Sequence, residues 1–263
     1  QTLDAATTAS DNVAVGTSAL DVATTGSNNT AVGRNALGAN TDASNNTAVG
    51  KDALLVNTTA GVNTAVGALA LSSNTTPANN TAVGYNALGA NTTGNNNVAL
   101  GSYALDADTT GYNNVAIGQN ASTALTEGNS TTSIGQNALA QSTTANDNTA
   151  LGSMAGYNCT DGHSNTFVGR LAGYLSTTTG DNNTTIGYYA QGSSATADNE
   201  FTLGNSSISN LRCADTSISS LSDERDKKNI VDVPLGLDFI NTLRPVSFDW
   251  NRRDGSKKDM KDF

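Results

Sequence analysis

The stretch Asn29-Thr30-Ala31-Val32-Gly33-Arg34-Asn35-Ala36-Leu37 returns almost letter for letter as Asn80-Thr81-Ala82-Val83-Gly84-Tyr85-Asn86-Ala87-Leu88. With its Gly taken as an anchor, the unit occurs 12 times, at Gly16, Gly33, Gly50, Gly67, Gly84, Gly101, Gly118, Gly135, Gly152, Gly169, Gly187 and Gly204. Ten of the 11 intervals are 17 residues; the interval from Gly169 to Gly187 is 18, and its extra residue is assigned to a turn near Thr177-Thr178-Thr179. Self-similarity at a fixed period marks an architecture of stacked repeats.

Each column of the repeat has a physical reading. The residue before the anchor is always a branched aliphatic, from Val15 and Val32 to Ile186 and Leu203. Ala stands three residues after the anchor in every copy but the last, often followed by Leu, as at Leu20, Leu37, Leu54, Leu71, Leu88, Leu105 and Leu139. Asn stands four residues before the anchor in ten copies, replaced by Thr131 and Glu200 in the other two. One copy has too few apolar side chains to bury a core, so stacking must supply it.

Thr-Ala-Val before the anchor and Asn-Ala-Leu after it both alternate with period two, so two short strands per copy are expected. The Asn-, Thr- and Gly-rich stretch between copies is turn chemistry. A helix is not expected in a 17-residue unit of this composition. The fold class is therefore all-β: a parallel β-solenoid or β-roll, one copy per coil. Twelve coils at a strand spacing of about 4.8 Å make a rod about 55 Å long. Stacking places Val on Val, Ala on Ala and Asn on Asn. The apolar columns are expected to fill a thin interior, and the Asn column to form a ladder in which each amide donates to the next. The anchor needs Gly for positive φ or close backbone approach at a corner. Two apolar stripes exceed what one narrow interior needs, which points to a homotrimer.

Composition narrows the function classes. The 263 residues carry a net charge of −10, with 14% charged and 26 Gly. Gly at one position in ten is not collagen, and the charge and Pro content are low for a disordered chain. An acidic chain is repelled by phosphate, so no nucleic-acid partner is expected. No run of apolar residues is long enough to insert in a membrane, and no signal peptide is visible. A chain that opens at Gln1 reads as a fragment or processed product.

The charge is unevenly placed. Residues 1–221 hold 4 basic and 14 acidic side chains, whereas the 42 residues 222–263 hold 9 of each. That shift marks a boundary near Leu221. Beyond it Leu235, Phe239, Ile240 and Leu243 fall at helical spacing, Pro245 ends that helix, and Val246, Phe248 and Trp250 alternate as a strand. The expected organisation is a lead-in (1–9), a roll shaft (10–205), an extended connector (206–221) and a C-terminal domain from Ser222.

Two resemblances follow from these residues. The Asn-Thr-Ala-Val-Gly-x-Asn-Ala-Leu units resemble the head repeats of trimeric autotransporter adhesins, over about residues 10–205. That resemblance implies left-handed parallel β-rolls, trimeric assembly and surface binding; the longer repeat here implies a longer turn. The pattern Ser222-Asp223-Glu224-Arg225-Asp226-Lys227, followed by Leu243-Arg244-Pro245-Val246-Ser247-Phe248-Asp249-Trp250, resembles the intramolecular chaperone domain that ends phage endosialidases and many tail fibres and spikes. That family helps three chains fold and then cuts itself off. Carried over, it implies cleavage of the Ser222–Asp223 bond, with Ser222 as nucleophile, Lys227 as its general base and Arg225 as a structural charge. A Ser hydroxyl needs such a base, and a desolvated Lys supplies one. The family domain continues further than Phe263, so only its N-terminal part is expected here.

The remaining polar residues read as structural. His163, the single histidine, has no companion ligand and reads as a turn residue. Cys159 and Cys213 are separated by several coils, too far for a bridge, and read as free thiols or inter-chain contacts. The seven tyrosines read as packing residues, with sugar stacking as the alternative. No cofactor and no metal is expected.

The combined expectation is an adhesive fibre of a virion appendage, extracellular and multivalent. Its expected partners are its own copies, other appendage proteins and a host surface receptor such as a glycan. The only chemistry expected is single-turnover autoproteolysis. A cellular adhesin of the autotransporter type fits the same roll. So does an ice-binding solenoid, through the Thr column eight residues after the anchor, from Thr24 to Thr177. A polysaccharide-degrading spike lacks a recurring carboxylate pair.

Overall fold

The computed structural model describes residues 8–175, 179–212, 250–251 and 257–258. The chain divides into two units, Gln1–Asn210 and Leu211–Phe263. In the first, every repeat contributes one three-residue strand: β1 (Val13–Val15), β2 (Thr30–Val32), β3 (Thr47–Val49), β4 (Thr64–Val66), β5 (Thr81–Val83), β6 (Val98–Leu100), β7 (Val115–Ile117), β8 (Thr132–Ile134), β9 (Thr149–Leu151), β10 (Thr166–Val168), β11 (Thr184–Ile186) and β12 (Phe201–Leu203). They form one 12-stranded parallel sheet in sequence order, the β-solenoid expected from the repeat. The register is column on column: Ala31 pairs with Ala48, and Val32 with Val49. The 18-residue interval leaves it intact, since Thr166 pairs with Thr184. Of the Thr177-Thr178-Thr179 run to which the extra residue is assigned, Thr177 and Thr178 lie outside the described residues.

The second expected strand is absent. Asn-Ala-Leu after the anchor is a turn in which Asn35 (φ 56°) and Leu37 (φ 50°) are left-handed. The reason lies in the burial. Ala36 and Leu37 are adjacent and both fully buried, whereas a strand would send one of them outward. The left-handed kink turns both inward. It recurs at Leu20, Leu54, Leu71, Leu88, Leu105 and Leu139, with φ of 49–52°. A non-Gly residue in this region costs about 1 kcal/mol, and burying a Leu side chain stabilises by about 2 kcal/mol.

The interior is also narrower than expected. In each TAV-type strand the central residue is buried while its neighbours are at least partly exposed. The column before the anchor therefore lies outside the coil, not within it. Alternation decides this, because Thr and Val flank the inward Ala and must share the opposite face. The interior consists of the strand-centre Ala, the Ala three residues past the anchor and the Leu after it. These form one cluster from Ala19 to Leu125 and a second from Ala138 to Ala172.

The anchor Gly meets both of its expected requirements. Gly84 has φ of 138°, and a Cβ there would lie 2.4 Å from the carbonyl oxygen of Gly101 in the next coil. Each anchor from Gly16 to Gly169 thus sits on the backbone of the following anchor, at a separation no side chain allows.

In the second unit, β13 (Trp250–Asn251) pairs antiparallel with β14 (Lys257–Lys258). The helix expected through Leu235–Leu243 and the strand residues Val246 and Phe248 lie outside the described residues.

Candidate functional site

The outward face of the sheet carries two columns. One is Thr or Val, with Phe201 in the last strand; the other is the unbroken line of branched aliphatics before the anchor. Four members of the second are about half exposed, Val15 56%, Leu100 45%, Leu151 48% and Leu203 50%, and the other eight are partly exposed. Twelve such side chains in register make a continuous apolar stripe on the exterior, of the kind that marks an interaction surface.

Behind this face the coils are tied by side chains. The Asn column does not form the expected amide-to-amide ladder. The Asn29 Oδ1 accepts the N–H of Asn46 at 2.9 Å, and the Asn29 Nδ2 donates to the Ala43 carbonyl at 2.8 Å. Asn46, Asn63, Asn80, Asn97 and Asn114 repeat the arrangement. Backbone wins because each coil leaves one N–H and one C=O inside that need partners, and an amide supplies both complements at once.

A true amide ladder exists elsewhere, seven residues after the anchor. Asn57, Asn74 and Asn91 each donate Nδ2 to the Oδ1 one coil earlier, at 3.3, 3.0 and 2.9 Å. Four fully buried Asn in consecutive coils make up this column, which then passes to Asp108, Leu125, Ser142 and Cys159. The signal was present in the sequence as a fixed-offset Asn, legible by tabulating every column rather than those beside the Gly.

The turns carry a third set of ties. Side chains six residues before the anchor accept the N–H of their counterpart one coil back: Asn129 Oδ1 from Tyr112, Asn146 Oδ1 from Asn129, His163 Nδ1 from Asn146, Asp181 Oδ1 from His163. His163 is thereby a turn residue, with Nδ1 as acceptor. The Thr column eight residues past the anchor is committed as well: the hydroxyls of Thr58, Thr75, Thr92 and Thr109 donate to the Thr carbonyl of the next coil. Asp42 accepts from Thr25 and Thr24, which hold its carboxyl below the usual range.

Cys159 is a free, fully buried thiol, and burial pushes it up to about 12. That burial removes it as an inter-chain contact; Cys213 lies outside the described residues. Tyr85 and Tyr103 meet edge to face at 5.3 Å, Tyr157 packs on Tyr174 at 5.4 Å, and Arg170 lies 5.7 Å from the Tyr188 ring. A hollow of about 260 Å³ is lined by Tyr189, Gln191, Gly204, Asn205 and Ser206. The amides of Gln191 and Asn205 are tied to the carbonyls of Leu171 and Tyr188. Among the described residues no group of His, Cys, Asp and Glu is arranged to hold a metal ion, and no helix is long and apolar enough to cross a membrane.

Ser222, Asp223, Arg225 and Lys227 lie outside the described residues. No curated protein and no solved structure is significantly similar to the chain. Residues 222–262 match the family model for the chaperone of endosialidase, so the segment that begins at Ser222 is similar to that chaperone and lies C-terminal in sequence to the β-solenoid.

Proposed function

We propose that the chain is the shaft of a trimeric fibre on a virion appendage, projecting a host-binding surface outside the cell, with a C-terminal chaperone that assembles three chains. The organisation is a lead-in, a shaft over about 10–205, a connector to 221, and the chaperone segment. The shaft is of the kind found in the heads of trimeric autotransporter adhesins. Its partners are two further copies, neighbouring appendage proteins and a surface receptor such as a glycan.

One observation carries this reading: an unbroken aliphatic stripe on the outer sheet face, in a chain whose residues 222–262 match the chaperone of endosialidase. Three copies packed on that face bury the stripe, and each gains the apolar cover that a thin coil lacks. The chaperone segment cuts itself once per chain: Lys227 takes the proton of the Ser222 hydroxyl, and the net reaction is hydrolysis of the Ser222–Asp223 bond. The Thr column supports ice binding less well, because its hydroxyl protons are committed to the next coil.

Denaturing and native mass measurements on one sample of the full chain test the reading. The expected product is a trimer of chains ending at Ser222, with Ser222→Ala giving uncleaved chains. Val83→Asp, on the outer face, is expected to dissociate the trimer while the coils persist by circular dichroism. A wild-type protein that is a stable monomer overturns the fibre. An intact bond within a trimer overturns the cleavage alone.

A further inference from the structure

The inner amide column is directional. Each Nδ2 donates back one coil to an Oδ1 and forward, within its own turn, to the carbonyl three residues on, as Asn91 does to Gly94 O at 2.9 Å. Asn91 Oδ1 accepts the Gly94 N–H at 3.0 Å. The next residue in the column is Asp108, which has no exposed surface. Its Oδ1 repeats the accepting role, taking the Gly111 N–H at 2.8 Å. The column therefore leaves Asp108 Oδ2 in the place where the preceding residues carry an NH2. The groups that such an NH2 serves, here Asn91 Oδ1 and Gly111 O, are both acceptors, and a carboxylate has no proton to give them. Asn114 Nδ2 approaches Oδ2 at 3.5 Å, but its shorter bond is 2.7 Å to Gly128 O.

We propose that Asp108 is held as a neutral carboxylic acid whose O–H completes the inner amide column, making the sixth coil a joint in the shaft that loosens as the medium goes from acidic to neutral. The groups that hydrogen-bond to it, Gly111 and Asn114, are uncharged, as are Asn91 and Leu125, the column positions before and after it. The nearby carboxylate Asp106 is engaged by the Thr123 hydroxyl. Burial is the leading cause that raises the Asp108 carboxyl from 3.8 to about 7, opposed by the bonds from Gly111 and Asn114. Below the ordinary value the group is protonated whether or not the coil is formed, so it adds no pH dependence. Between the ordinary value and the raised one, the formed coil holds a proton that the open coil has released. Coil stability then falls as pH rises, about tenfold in the opening equilibrium per pH unit, and levels off above the raised value.

Hydrogen exchange of the full chain, followed by mass spectrometry on peptides covering 104–118, reads the joint directly. Opening there is expected to increase at least tenfold, beyond the intrinsic exchange rate, from about pH 5 to about pH 7. In Asp108→Asn, which supplies the missing NH2, that increase is lost. Infrared difference spectra between the two proteins at about pH 5.5 are expected to show one protonated-carboxyl stretch. If Asp108→Asn does not fold, Asp108→Leu, which extends the apolar choice made at Leu125, gives the same loss of pH dependence. An identical pH profile in wild type and variant, or no protonated-carboxyl band, overturns the proposal.

Discussion

The coils up to Leu125 and those from Ala138 to Ala172 form separate apolar clusters, and they solve one packing problem in different ways. In the first six coils the interior is nearly uniform, with Ala at the strand centre, Leu four residues past the anchor and, from the second coil to the fifth, Asn three further on. From the seventh coil, at the end of the first cluster, those positions begin to be exchanged. Coil 7 puts Ser122 where Leu stands and Leu125 where Asn stands. Coil 9 puts Gly156 in the Leu position, and the ring of Phe167, from the centre of β10, fills the space. A Cβ on Gly156 would lie 2.6 Å from that ring. Volume is exchanged between neighbouring coils in the strand-centre, Leu and Asn columns, while the Ala three residues past the anchor keeps its place. The anchor Gly, by contrast, never varies. Side chains inside the coil are exchangeable in pairs; the backbone contact at the corner is not.

The largest effect that could break this distinction comes from the corner. Gly84→Ala places a methyl 2.4 Å from Gly101 O and 2.6 Å from its carbon, at φ of 138°. Neither neighbour is the end of a flexible side chain. A loss above about 4 kcal/mol is expected, seen as failure of the central coils to protect their amides from exchange. Gly38→Ala is the control: its Cβ would meet Asn35 O at 3.2 Å and Leu55 Cδ1 at 3.6 Å, and it is expected to fold with a small penalty. Equal damage from both substitutions would remove the special standing of the anchor.

Next in size is the exchange around Phe167. Phe167→Ala opens a cavity in a fully buried site and is expected to cost about 3 kcal/mol. Gly156→Leu alone collides with the ring and destabilises as well. The double substitution rebuilds the pattern of the first cluster and is expected to recover more than half the loss in a denaturant titration. Additive losses would mean that the two coils are not exchanging volume.

Much of this was legible in the residues, for a physical reason. Stacking copies the same environment at every repeat, so a column that must be Gly or Ala shows itself by recurrence. The parallel register, the corner glycines and the all-β class followed from that. The inside and outside of the strand were not legible in the same way. Ala and Val are both apolar, and only the narrowness of the coil sends the larger one outward. The Asn-Ala-Leu turn was hidden because left-handed Leu is locally unfavourable and is held only by burial from the coils above and below. His163 gave no chemical signal because its partner is a backbone N–H of the adjacent coil, and the tyrosines gave none because they pack on one another and on Arg170. For the proposed cleavage residues the sequence speaks through the motif around Ser222 and Lys227, and the family match covers the same stretch.

The smallest effect lies at the seam between the two clusters. The Ser122 hydroxyl donates to Ser133 Oγ at 2.8 Å, and Ser133 donates to the Val115 carbonyl at 3.4 Å. Both side chains are buried, where most coils have Leu and Ala. If the pair is merely another exchange, its worth lies in mutual satisfaction and not in stabilisation. Ser133→Ala then strands the Ser122 hydroxyl and costs about 1–2 kcal/mol. Adding Ser122→Ala removes the orphan, and the double variant should return to within about 0.5 kcal/mol of wild type. A double-mutant cycle by denaturant unfolding measures the coupling. A double variant that loses as much as the two single changes together would show that the seam contributes through its polarity, and would set it apart from the volume exchange one coil further on.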